Sequence, residues 1–197
     1  MTQPGFRTVF RSIQAAMAAA VLAGLAAACS HVPTTSLPAL ARVDWMATDP
    51  DALLAALVLP EGVRPGEARL HLVLALDSGE IREEVLRLEP VGGGEPELPG
   101  RPDGTTATVY GLPPQEARRL DTFRDAFAEA RGTQKGALTI SVGASACREP
   151  GVATETPVAV STYLSTTETG RFVPLVRNAG LASLGGAQSP PALPPCG

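Results

Sequence analysis

Leucine occupies every second position from Leu70 to Leu76, with His71, Val73 and Ala75 between. A repeat of two residues places one set of side chains on one face of a strand and scatters it around a helix. The pattern recurs twice. Leu138, Ile140, Val142, Ala144 and Ala146 alternate with Thr139, Ser141, Gly143 and Ser145, and Val158, Val160, Thr162 and Leu164 alternate in the next run. Thr105 to Leu112 is rich in β-branched and aromatic residues and reads as another strand. Asp77-Ser78-Gly79-Glu80 is a turn that returns the chain as Ile81–Leu88, whose poorer alternation points to a bulge. Phe172–Val176 makes a short last strand, which Pro174 confines to an edge.

Two segments need other arguments. Asp49-Pro50 could open a helix, but Leu53, Ala55, Leu57 and Leu59 alternate up to Pro60, so a strand is expected. Pro114–Arg131 reads as a helix. Proline sits in its first turn, Glu116 near its positive end, Arg131 near its negative end, and Gly132 closes it. Ala117, Leu120, Phe123, Phe127 and Ala130 form its apolar stripe, and the mixed charges read as its solvated side. The expected fold class is therefore α+β and β-rich. It is an antiparallel sheet or two-sheet sandwich of about seven strands with one amphipathic helix packed on it, the sandwich being the leading form.

The chain divides outside this body. Residues 12–28 carry no charge, and Arg7 and Arg11 precede them without a neighbouring acid. A positive start, an apolar run and small residues at its end make the three-part layout of an export signal. The run is too short and too alanine-rich for a membrane span, which needs about 20 strongly apolar residues. Leu25-Ala26-Ala27-Ala28-Cys29 resembles the lipobox of bacterial lipoproteins, with Ala26 where leucine is commoner. The resemblance implies cleavage before Cys29, lipid on its thiol and attachment to a membrane. Ala26-Ala27-Ala28 also fits ordinary signal cleavage at the same bond, which would leave a free thiol. Cysteine parity favours the lipoprotein. The chain has three cysteines, and lipid on Cys29 leaves Cys147 and Cys196 as a pair for an oxidising compartment.

The expected organisation is a signal peptide over 1–28, a lipidated tether over 29–38, a single β-rich domain over 39–184 and a Pro/Gly-rich tail over 185–197. Ser30 stands where aspartate would favour inner-membrane retention in lipoproteins of this kind, so the expected address is the outer membrane, facing the periplasm. Met46–Pro60 is similar to small, uncharacterised proteobacterial envelope lipoproteins, a likeness that implies no activity.

Recognisable chemistry is sparse. His31 and His71 are the two histidines, and no triad pattern surrounds either. Gly143-Ala144-Ser145-Ala146-Cys147 begins like a nucleophile elbow, but a cysteine replaces its last glycine and a turn, not a helix, follows. Gly92-Gly93-Gly94 lacks the Gly-Lys-Ser/Thr of a phosphate loop. Asp44, Asp49 and Asp51 suit turns and caps better than a cation site. No C-x-x-C or H-E-x-x-H occurs, so no metal or cofactor is expected. A net charge of −4 and one lysine, Lys135, without any basic run argue against a nucleic-acid surface. The function expected is a non-enzymatic binding or assembly module of the envelope, partnered by the membrane through Cys29 and by an envelope protein. The alternative is a carrier of a lipid or other apolar ligand, held between the strand leucines and Phe123 and Phe127.

Overall fold

The computed structural model describes residues 33–131, 135–152, 158–180 and 193–197. Cys29, Ser30, His31, Gly132, the export segment and residues 185–192 of the tail lie outside the described residues. No helix among the described residues is long and apolar enough to cross a membrane.

Seven strands form one curled half-barrel sheet rather than two stacked sheets, which corrects the sandwich expectation. They are β1 (Leu54–Pro60), β2 (Val63–Leu76), β3 (Ile81–Pro90), β4 (Thr105–Gly111), β5 (Gly136–Arg148), β6 (Ala159–Ser165) and β7 (Val173–Gly180). Their spatial order is β5-β2-β3-β4-β1-β6-β7, and every neighbouring pair is antiparallel. The physical reason for one sheet is a narrow join. β3 and β4 pair at Glu89↔Gly111 and Pro90↔Tyr110, and Val91 N–H donates to Val109 at 2.9 Å. Beyond that point the two strands diverge, and the sheet curls instead of splitting.

The expected bulge in the Ile81–Leu88 segment is absent, since β2 and β3 pair without a register shift from Ala68↔Leu88 to Ala75↔Ile81. The irregularity lies instead between β2 and β5, at Pro65/Ala68. There Gly66 lies so close to β5 that a Cβ would come within 2.4 Å of Ser145 Oγ, and the same hydroxyl accepts the Glu67 N–H at 2.9 Å. Proline and glycine in β2 thus mark the bend.

Asp49 Oδ1 accepts the Asp51 N–H at 3.0 Å and starts one 3-10 turn, Pro50–Ala52, after which β1 runs as the expected strand. Its alternation hides a second buried face. Leu53, Ala55, Leu57 and Leu59 enter the main core, while Ala56 and Val58 pack on Leu98 and Tyr163 behind the sheet. Leu98 comes from the 91–104 loop, which folds back over the outer face. Burial holds the hydroxyls of Tyr110 and Tyr163 protonated above the ordinary tyrosine range, with Arg177 and Arg101 pulling weakly the other way on Tyr163.

Helix α1 (Leu37–Leu40) follows a turn at Thr34–Ser36, where Ser36 is already buried beside β7. Helix α2 (Pro114–Arg131) covers the inner face through Leu120, Phe127 and Ala130. Its polar side is less simple than its charges suggest. Glu116 and Arg124 are 9% and 7% exposed, because each stands four residues from Leu120, inside the apolar stripe rather than opposite it. Arg124 Nε donates to the Trp45 carbonyl at 2.7 Å and Nη2 to that of Thr48 at 2.8 Å, fastening the segment before β1 to the helix. Glu116 accepts the Arg87 N–H at 3.3 Å, and Arg119 donates to the Val85 carbonyl at 3.2 Å. Helix side chains therefore satisfy β3 where β4 has left it.

Candidate functional site

Cys147 and Cys196 form a disulfide, with Cα atoms 4.9 Å apart. The bond does not act alone. Arg148 N–H donates to Pro194 and Cys196 N–H donates back to Arg148, both at 2.8 Å, and Pro195 bridges Arg148 in parallel sense. Leu193 packs against the main core. The end of the tail is thus a short added strand, secured by backbone bonds, a side chain and a covalent link.

The residues that suggested chemistry have structural partners instead. His71 Nε2 lies 2.6 Å from Glu83 Oε1 across the exposed face of β2 and β3. Ser141 sits opposite His71 on β5. Ser145 is occupied at the bulge by the Glu67 N–H. Asp44 accepts the Met46 N–H at 3.0 Å, and no group of three or more metal-binding side chains gathers among the described residues. Around the bulge Glu67 joins Arg69 and Arg87, and the Arg87 contact is the larger cause of its depressed carboxyl pKa. All three are solvent-screened, so the cluster orders a surface rather than creating a reactive group.

The space between α2 and the sheet is filled. Leu120, Phe123 and Phe127 meet Leu72, Leu138 and Ile140 and leave a void of about 10 Å³. That is of the order of one water probe and excludes an acyl chain. The carrier reading therefore lacks its cavity at this interface.

An open cleft of about 530 Å³ lies on the other face, where β3 and β4 part. Its floor is apolar, from Leu54, Ala107, Val109 and Phe172, and Gly92–Pro96 forms its rim. The loop is held in place around it. Arg101 Nε donates to Thr105 Oγ1 at 3.2 Å, and its guanidinium also contacts the Thr105 carbonyl and Glu95. Arg177 Nη2 donates to the Pro99 carbonyl at 3.1 Å. Gly100 is required here: its φ is +69° and a Cβ would press on the Arg177 guanidinium at 3.1 Å. A Cβ at Gly92, Gly93 or Gly94 would meet nothing within 4 Å, so the rim leaves its backbone accessible.

Such a cleft has the size of a ligand or side-chain pocket, with apolar area for affinity and polar backbone for orientation. The triple glycine reads only as a loop, and the cleft has no local signal, because its floor joins residues of β1 and β4 with Phe172, just before β7, which are distant in sequence. Comparison with protein-family models, with curated proteins and with solved structures returned no match.

Proposed function

We propose that the chain is a lipid-anchored, non-enzymatic binding module of the bacterial envelope, which engages an envelope protein through the outer cleft. The observation that carries this reading is the apolar floor left open between β4 and the Gly92–Pro96 rim. Open apolar clefts of this size mark interaction sites more often than unused surface. A hydrophobic side chain of a partner, with its backbone against the glycine rim, fits the arrangement. The Cys29 lipid would keep the module at a membrane, and Ser30 favours the outer membrane. The filled α2 interface turns the choice from carrier to docking module.

Photocrosslinking in intact membranes tests the site. A photoreactive residue at Ala107, on the cleft floor, should give a discrete protein adduct, whereas one at Thr122, on the exposed side of α2, should not. Equal or absent labelling from both positions would contradict the assignment.

A further inference from the structure

The two edges of the sheet are treated differently. β7 carries the devices that discourage strand addition: Pro174, the charge of Arg177, register shifts against β6, and Asn178 at φ 46°. β5 carries none of them between Gly136 and Cys147, a run without charge or proline. Which of its backbone groups face outward follows from the bonds at its ends. Lys135 C=O accepts from Asp77 toward β2, whereas Arg148 N–H and C=O both bond the tail on the outer side. Strand alternation then turns the N–H and C=O of Leu138, Ile140, Val142, Ala144 and Ala146 outward. No described residue pairs with them.

We propose that two copies of the chain join antiparallel through the outer edges of β5, about a twofold axis at Val142. This inference is independent of the cleft. The register sets Leu138 opposite Ala146 and Ile140 opposite Ala144, a large residue against a small one on the inner face. Thr139 meets Ser145 and Ser141 meets Gly143 on the other face, pairings that two flat edges tolerate. The paired run carries no charge on either copy, so no like charges oppose. The tail at Arg148 stops the pairing at Ala146, leaving about ten interchain backbone bonds by the antiparallel pattern. A twofold contact of this kind closes on itself and leaves β7 as the outer edge of the doubled sheet.

Sedimentation of the full chain purified in detergent, at about 100 μM, reads the result as chains per particle. Two chains are expected. Ala144→Pro removes an outward N–H without breaking a bond to β2, and Thr139→Lys puts like charge along the edge. Each variant should sediment as one chain while keeping the wild-type far-UV circular dichroism and a cooperative urea transition, which report that the body is folded. A wild-type chain that is monomeric at this concentration would overturn the proposal. So would a dimer that survives in both folded variants.

Discussion

Replacing both Cys147 and Cys196 with alanine should lower the unfolding free energy by about 3–4 kcal/mol, read as a lower midpoint in urea. The two cysteines are separated by 49 residues, and closing a loop of that length constrains the unfolded chain by about 4 kcal/mol in the entropy model. The stabilisation reaches the folded body because the tail has native structure to preserve. Its Pro194 and Cys196 backbone bonds run to Arg148, and Leu193 enters the core. A bridge to an unstructured tail would contribute far less. A loss below about 1 kcal/mol would show that the tail is not held as described.

Arg124→Met should cost about 2–4 kcal/mol, although it keeps most of the side-chain volume. The guanidinium donates to two main-chain carbonyls, at Trp45 and Thr48, in a position 7% exposed. Removing it leaves both acceptors facing an apolar thioether, and bonds from a charged donor are the stronger class. The nearby Asp121 contact, at 3.2 Å with its carboxylate mostly exposed, adds little. Arg118→Met, on the exposed side of the same helix, should change stability by less than about 0.5 kcal/mol. Urea unfolding of the two variants side by side checks the contrast, and equal effects would contradict the anchoring role.

The sheet was legible in the sequence where one face alone is buried. The alternation of Leu70–Leu76 and of Leu138–Ala146 identified β2 and β5 because polar or small residues occupy their other faces. Helix α2 was legible to its ends for the same reason, as period, proline and charge agreed. Three features were not. The start of β2 at Val63 has no such signal, because regular alternation begins only at Leu70, yet Val63, Arg64 and Pro65 pair with β5 ahead of a bulge. The second buried face of β1 depends on Leu98, which lies some forty residues away and reaches Ala56 and Val58 through a proline- and glycine-rich loop. The single sheet, in place of a sandwich, hinges on two residue pairs between β3 and β4, a long-range detail that strand count cannot specify.

The site follows the same division. Pairing of Cys147 and Cys196 could be argued from parity alone. Glu116 and Arg124 could have been suspected, since each stands four residues from Leu120 and so falls inside the apolar stripe. The cleft could not, since nothing local marks Leu54, Ala107, Val109 and Phe172 as neighbours.

Attachment through Cys29, as proposed, would set the compartment, the cysteine pairing and the surface on which the body works. Intact-mass spectrometry of the chain isolated from bacterial membranes tests it most directly. The account predicts a polypeptide beginning at Cys29, carrying a diacylglyceryl group, and lighter by two hydrogen atoms than its reduced form because Cys147 and Cys196 are bridged. A chain that retains residues 1–28, or one that begins at Cys29 with a free unmodified thiol, would contradict it.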